Sequence, residues 1–224
     1  MQPSLAERAR DPAAATGPEL PDRTTHSGGL SDRGLAWLLL IGGLVGLAAS
    51  FVLAVEKYAL LADPTYVPTC SLNPVLSCGS VMASAQAEAF GFPNPLLGVA
   101  GFPVVAGVGA ALLAGARAAP WFWGGLQVGV TAGAVFVHWL IVNSLYSIGA
   151  LCPYCMAVWA VTIPICWYVT LHNLDRVAAR LPRRLAVAVA AAKRFHGVVL
   201  TAWFLLIAVA VLEEFWLYWS TFLG

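Results

Sequence analysis

Five long apolar stretches constrain what this chain can fold into more than any other feature of its sequence. A helix that crosses roughly 30 Å of hydrocarbon needs about 20 apolar residues, because each residue rises about 1.5 Å along the axis. Stretches of that length run approximately over residues 35–55, 95–116, 121–146, 153–171 and 197–219. The sequence therefore predicts an all-α membrane protein with five transmembrane helices.

Composition excludes an ordinary soluble domain. Of the 224 residues, 60% are hydrophobic and only 10% are charged, whereas soluble proteins carry about 25% charged residues. The formal net charge is +1, so no basic excess indicates nucleic acid as a partner. We therefore expect the chain to be embedded in membrane lipid.

The distribution of Lys and Arg predicts the orientation in the membrane. Of the 12 basic residues, four precede the first stretch, one separates the second from the third, and six separate the fourth from the fifth. Because basic residues concentrate in short cytoplasmic segments, these positions place the N-terminus in the cytoplasm and the C-terminus outside. Only Lys57 is left on the outer side.

The segments outside the apolar stretches have different expected roles. Residues 1–34 lack apolar periodicity and predict a disordered cytoplasmic tail. Residues 56–94 form the long outer loop, in which 79–90 has a helical pattern and is expected to lie over the helices like a lid. Residues 173–196 form a basic cytoplasmic loop with an amphipathic run that suits anionic headgroups. Residues 197–224 contain the fifth transmembrane helix.

Four of the five cysteines lie on the predicted outer side, where disulfides persist. Cys70 and Cys78 belong to the outer loop, and Cys152 and Cys155 open the fourth stretch. For the loop pair alone, a structural disulfide and a redox pair are both open interpretations. Cys166 lies about 16 Å deeper along the fourth stretch and is interpreted as a small buried apolar residue.

The Cys152-Pro153-Tyr154-Cys155 motif favours redox chemistry over a structural role. A disulfide between cysteines three residues apart constrains the unfolded chain very little. A thiol at a helix N-terminus has a lowered pKa, which makes it a better nucleophile and leaving group. No His follows Cys155, so the motif is not a haem attachment site. The seven residues between the loop cysteines depart from zinc-site spacing, and we predict no metal.

Three features together resemble the vitamin K epoxide reductase family. They are the outer loop cysteines separated by seven residues, the run FGFPNPLLG at positions 90–98, and a Cys-x-x-Cys motif at the start of the fourth span. The resemblance covers about residues 35–171.

The resemblance implies a four-helix catalytic bundle at residues 35–172, enclosing a quinone, with the fifth helix peripheral. It implies a quinone-dependent thiol oxidoreductase, using menaquinone or ubiquinone, in a bacterial cytoplasmic membrane. Electrons would pass from a separate extracytoplasmic thioredoxin-fold (DsbA-like) protein to Cys70 and Cys78, then to Cys152 and Cys155, then to the quinone. This relay would drive disulfide formation in exported proteins. Which loop cysteine meets the partner is left open.

The resemblance also names residues for the quinone pocket. Cys155 is expected to face the quinone, and Asn94 matches the ring-contacting Asn of the family by its distance to Gly98. Trp159 stands where the animal branch has a ring-bonding Tyr, so a plain quinone is favoured over an epoxide. The chain carries no fused thioredoxin domain. The alternatives are a vitamin K epoxide reductase proper and a non-catalytic membrane scaffold with structural disulfides.

Overall fold

Helices make up most of the computed structural model, which describes residues 30–220 apart from the side chains at positions 179, 217 and 219. The α-helices are α1 (Asp32–Ala62), α2 (Cys78–Ala83), α3 (Pro95–Leu113), α4 (Pro120–Asn143), α5 (Pro153–Val177), α6 (Arg183–Arg194), α7 (His196–Glu214) and α8 (Trp216–Ser220). Short turns of other helix types lie at Ala85–Glu88, Ser144–Ile148 and Ala178–Arg180. Within the described range the strand-like pairing is one isolated bridge, Leu76 with Leu151. The all-α prediction is confirmed.

Five helices are long and apolar enough to cross a membrane, as the sequence predicts: α1, α3, α4 with the turn that follows it, α5 and α7. The end of the first span was wrong, because α1 continues to Ala62 rather than stopping at residue 55. The prediction stopped before the charged pair Glu56 and Lys57, yet both residues are buried. The fifth span also ends earlier than residue 219, since α7 stops at Glu214.

Helices α1 and α3 approach closely because small residues line their contact. A Cβ atom placed on Gly43 would lie 2.6 Å from the backbone nitrogen of Ala106. A Cβ on Gly109 would lie 2.7 Å from the carbonyl oxygen of Ala36. Apolar lipid gives helices no hydrophobic reason to associate, so close backbone packing of this kind is what holds them together.

Helix α5 packs against both α1 and α4, whereas α3 and α4 have almost no contact along their described lengths. The centre of the packed side is an apolar cluster that includes Leu39 of α1, Trp123 of α4 and Val169 of α5. The four helices therefore enclose a space that is closed on the α5 side and open to the surroundings through a gap between α3 and α4.

The segment between α1 and α3 covers one end of this space, which we call the cysteine side. The predicted helix over residues 79–90 is present as two shorter pieces, α2 and the turn Ala85–Glu88, which Ser84 separates. Residues of both pieces line the enclosed space, including Met82 and Gln86. The expected lid over the helices is thus observed, in two pieces rather than one.

Helix α7 lies outside the four-helix bundle and is joined to it by side-chain hydrogen bonds. Trp203 donates its indole N–H to Nε2 of His138 on α4 at 2.9 Å. Tyr168 of α5 and His196 lie 2.7 Å apart, from Oη to Nδ1. The basic run that precedes α7 in sequence forms α6. Of the predicted cytoplasmic tail, residues 1–29 lie outside the described residues, as do residues 221–224 of the predicted fifth segment.

Candidate functional site

A disulfide bond joins Cys70 to Cys78 in the segment between α1 and α3. Cys78 is the first residue of α2, and the Ser77 hydroxyl caps that helix. Within the loop, Oδ1 of Asn73 accepts the backbone N–H of Leu76 at 2.7 Å, which tightens the turn. Both sulfur-bearing residues are buried, with Cys70 5% and Cys78 0% exposed. The loop therefore holds the disulfide against the bundle.

Backbone pairing aligns this loop with the start of α5. The N–H of Ser77 donates to the carbonyl of Leu151 at 2.9 Å, and the N–H of Leu151 donates to the carbonyl of Val75 at 2.7 Å. Because Cys78 follows Ser77 and Cys152 follows Leu151, this pairing places the two cysteines side by side. Their Sγ atoms lie 3.0 Å apart, although 74 residues separate them in sequence. The two cysteine pairs therefore meet through one sulfur from each.

Cys152 and Cys155 are free thiols at the start of α5. Cys152 is the N-cap residue, and its Sγ accepts the backbone N–H of Cys155 at 3.5 Å. The hydrogen bond from the Cys155 side chain lowers the pKa of the Cys152 thiol, backbone N–H groups of Cys155 and Tyr154 add to this, and burial opposes it. The lowered pKa favours the thiolate form of Cys152. Cys166, also free, lies three turns further along α5 and outside this group.

A cavity of about 610 Å³ adjoins the free thiols, between α1, α3, α4 and α5. Cavities of this size hold small molecules. Helix α5 lines it with Cys155, Trp159 and Thr162, whose spacing of four and three residues puts them on one face. On α4 the lining runs from Trp121 to Ser144, a distance of about 34 Å along the helix. The cavity therefore extends from the cysteines through most of the bundle's length.

One wall of the cavity is formed by a row of glycines on α4: Gly125, Gly129 and Gly133. A Cβ atom on Gly125 or Gly129 would meet no protein atom within 4 Å. Opposite Gly133, Thr162 is 8% exposed, and its hydroxyl has no hydrogen-bond partner among the described residues. Buried polar atoms are rarely left unpaired. The cavity thus combines a long apolar wall with a hydroxyl able to bond a ligand.

Asn94 and Trp159, the predicted ring-contacting residues, both line the cavity. The Asn94 amide also supports the covering segment, since its Nδ2 donates to the carbonyl of Gln86 at 2.6 Å and its Oδ1 accepts the N–H of Ala89 at 3.1 Å. These bonds leave one amide N–H for a ligand. Trp159 is 4% exposed and belongs to a buried apolar cluster beside the cavity.

Sequence reasoning missed Lys57, which it treated only as a topology marker. Lys57 is 6% exposed, lines the cavity, and donates from Nζ to the carbonyl of Met82 at 2.8 Å. The same ammonium forms an ion pair with Glu88 at 2.9 Å. A signal was present in the sequence. Ser50, Leu53 and Lys57 are spaced three and four residues apart, which places them on one helical face.

The neighbouring Glu56 holds the chain just before Cys70. Its carboxylate accepts the hydroxyl of Thr69 at 2.6 Å and the phenol O–H of Tyr66 at 2.9 Å. Together, Glu56 and Lys57 use the last turns of α1 to fix the two ends of the cysteine loop. This arrangement explains why a charged pair lies buried in an otherwise apolar helix.

Comparison with known proteins agrees with this arrangement. The family model described as "Vitamin K epoxide reductase family" matches residues 37–170, which cover most of the four bundle helices, all five cysteines and the residues that line the cavity. No curated protein matches the chain. The match spans more than half of the sequence, and the chain belongs to the vitamin K epoxide reductase family.

Proposed function

We propose that this membrane oxidoreductase carries electrons from an extracytoplasmic thioredoxin-fold protein to a quinone, and so drives disulfide formation in exported proteins. The observation that carries the proposal is the 3.0 Å separation of Sγ between Cys78 and Cys152. Thiol–disulfide exchange requires direct attack of one sulfur on another. A contact between the loop pair and the Cys-x-x-Cys pair is what a relay needs and what two separate structural disulfides do not.

The relay proceeds by successive exchanges. Two thiols of the partner reduce the Cys70–Cys78 disulfide and become a disulfide themselves. Cys78, as a thiolate, then attacks Cys152 of a Cys152–Cys155 disulfide and releases the Cys155 thiolate. Attack of Cys70 on Cys78 restores the loop disulfide and releases Cys152. Each exchange moves two electrons, and the observed state, with an oxidised loop pair and free Cys152 and Cys155, follows the last of them.

The same contact supports different roles for the two loop cysteines. Since Cys78 faces Cys152, Cys70 is the sulfur that the partner protein attacks. Cys70 is only 5% exposed, so the loop must open when the partner arrives. Exposed apolar residues flank it, with Val67 72% and Leu72 68% exposed, and these suit the apolar groove beside a thioredoxin-fold active site.

A quinone fits the cavity by its chemistry. The family is associated with quinones, and a quinone has a flat ring with two carbonyl oxygens and a long apolar tail. The Thr162 hydroxyl and the free N–H of Asn94 can donate to such oxygens, and the glycine row on α4 and the gap beside α3 leave room for the tail. A bound quinone would supply a two-electron acceptor, so that Cys152 and Cys155 become a disulfide as two electrons and two protons are taken up. Menaquinone and ubiquinone both have this form.

The positions of the basic residues support a bacterial cytoplasmic membrane with the cysteine side outward. In sequence, eleven of the 12 Lys and Arg residues precede position 34, lie between α3 and α4, or follow the middle of α5. In that orientation the N-terminus is cytoplasmic and the relay opens to the oxidising side.

Trapping of mixed disulfides tests the relay. In cells, the free Cys70 thiol of Cys78→Ala should attack the disulfide of the oxidised partner, release one partner thiol and accumulate as a mixed disulfide, because the Cys78 sulfur that would resolve it is gone. Cys70→Ala should instead accumulate an internal Cys78–Cys152 disulfide, visible by mass spectrometry after digestion. Cys166→Ala serves as the matched control and should behave as the unchanged protein. If Cys70→Ala captures the partner and Cys78→Ala does not, the assigned roles are wrong.

A second candidate, reduction of vitamin K epoxide, is favoured by family membership alone. Trp159 offers an indole where the epoxide-reducing branch has a phenol, so quinone reduction should exceed epoxide reduction in purified protein. Assays with both substrates side by side distinguish the two. If neither is reduced and both cysteine pairs resist mild reductant, the chain is a scaffold with structural cysteines.

A further inference from the structure

Lys57 is a charged group buried at the wall of an apolar cavity. It lies on the α1 face that also carries Ser50 and Leu53, and all three line the cavity that adjoins Cys152 and Cys155. Of the described residues in the cavity lining, Lys57 is the only one with a formal charge. Burying an ammonium group costs several kcal/mol unless its surroundings compensate. A lysine in this position therefore needs an explanation beyond membrane topology.

Attachment of the covering segment uses only some of the N–H donors of the Lys57 ammonium group. Lys57 donates to the carbonyl of Met82 and pairs with Glu88, which uses two of its three N–H groups. Glu88 is a half-exposed partner, with 40% of its side chain accessible. A neutral donor would hold the Met82 carbonyl at a smaller desolvation cost. The remaining N–H and the positive charge are available to whatever occupies the cavity.

Apart from the two free thiols, the other polar side chains that line the cavity at the cysteine side are amides and hydroxyls, which can donate a hydrogen bond but do not readily give up a proton. The Ser84 hydroxyl donates to the carbonyl of Val81 at 2.7 Å, and the Asn94 amide supports the covering segment through Gln86 and Ala89. Trp159 is part of an apolar cluster. Among the donors that line the cavity at the cysteine side, Lys57 thus has both an unused N–H group and a proton that it can transfer.

We propose that Lys57 donates a hydrogen bond, and then a proton, to the quinone oxygen nearest the cysteines. This inference rests on the proposed function. Quinone reduction to quinol takes up two electrons and two protons. With Cys152 as a thiolate, the thiol pair supplies both electrons and, from Cys155, one proton. Lys57 supplies the second and regains it from solvent beside Glu88, so charge and atoms balance.

Measuring the two half-reactions separately tests this role on the full-length protein in detergent. Lys57→Met removes the charge, Lys57→Arg keeps it, and Glu88→Gln breaks the same ion pair while leaving the ammonium in place. The first half-reaction, from the reduced loop pair to Cys152 and Cys155, involves no quinone. The second, from the thiols to a water-soluble short-chain quinone, is followed by stopped-flow absorbance, and the quinone Kd by quenching of tryptophan fluorescence.

We expect Lys57→Met to slow the second half-reaction about 100-fold, a typical contribution of one proton donor. We expect its quinone Kd to rise about tenfold, as for loss of a charged hydrogen bond. The first half-reaction should change less than about twofold, and Glu88→Gln should stay near the unchanged protein in both steps. Lys57→Arg keeps the charge and the hydrogen bond but cannot give up a proton, so its quinone Kd should stay close to that of the unchanged protein while its second half-reaction slows as in Lys57→Met. Lys57→Gln keeps an N–H for Met82 and serves if Lys57→Met does not fold.

Three other outcomes would contradict either the role of Lys57 or the proposed function. If both half-reactions of Lys57→Met slow equally, Lys57 only anchors the segment that carries Cys78, and the proposal fails. If the second half-reaction and the quinone Kd are unchanged, the proposal also fails. If the unchanged protein transfers no electrons to any quinone, the proposed function itself is wrong, which is a separate result from either of these.

Discussion

Glycines line both the α1–α3 contact and one face of α4, and they lead to opposite structures. At the α1–α3 contact, neighbouring atoms fill the space beside Gly43 and Gly109. On α4, Gly125 and Gly129 face no protein atom within 4 Å and border the cavity. The same small residues thus permit close helix packing in one place and leave volume in the other.

The difference follows from what each helix faces. The α1 glycines meet α3 directly, so removing side chains shortens the distance between helices. The α4 glycines border the cavity instead, while α4 is held against α5 through contacts such as Trp123 and Val169. Small residues in a membrane helix therefore leave space beside the helix. Whether that space is filled depends on how the neighbouring helices pack.

The largest expected effect comes from a substitution that disrupts the close α1–α3 contact. Gly109→Val should destabilise the bundle by about 3 kcal/mol, because its side chain would collide with the backbone of α1 near Ala36, which cannot rotate away. We expect a large fall in expression and in thermal unfolding temperature in detergent, measured against the unchanged protein. A stable Gly109→Val protein would show that the α1–α3 contact contributes little.

Gly129→Val, the matched substitution on the open side, should leave folding intact. Valine has a better helix propensity than glycine, so the unfolding temperature should be unchanged or higher. Overpacking the ligand space should cost about 1–3 kcal/mol of binding, or about 5- to 150-fold in the quinone Kd. Fluorescence titration and thermal unfolding of the same sample measure both. Equal loss of stability in the two variants would abolish the distinction between the rows.

Thr162 lies at the boundary between filled and open space, since a Cβ on Gly133 would be 3.9 Å from its Cγ2. Thr162→Val keeps the shape and removes the unpartnered hydroxyl. We expect the quinone Kd to rise about fivefold, while the unfolding free energy stays constant or increases by up to about 1 kcal/mol. An unchanged Kd would show that this hydroxyl bonds no ligand atom.

The sequence was sufficient for features that depend on local composition. Apolar length alone located the five spans, because crossing a membrane is a requirement on each segment separately. The prediction of the first span failed at Glu56 and Lys57, because these charged residues were taken as the end of the helix. The burial of this pair depends on Tyr66, Thr69 and Glu88, whose positions come from the loop's path rather than from the helix itself.

Contacts within the candidate site were beyond sequence reasoning for the same reason. The spacing of Cys70 and Cys78 does not say which one meets Cys152. That contact depends on backbone pairing between Ser77 and Leu151, two segments with no shared pattern. The cavity-lining positions of Asn94 and Trp159 were expected from family resemblance, whereas the unpartnered hydroxyl of Thr162 is visible only once the helices are assembled.

The smallest expected effect tests the packed side between α4 and α5. Gln127 donates to the hydroxyl of Thr170 at 2.9 Å and accepts the amide N–H of Asn173 at 3.0 Å. Hydrogen bonds between membrane helices contribute about 0.6 kcal/mol each on average, so Gln127→Leu should lower stability by only about 1 kcal/mol. The quinone Kd should not change, because Gln127 does not line the cavity. A marked rise in Kd would mean that the packed side positions α4 for ligand binding, so that filled and open regions are coupled.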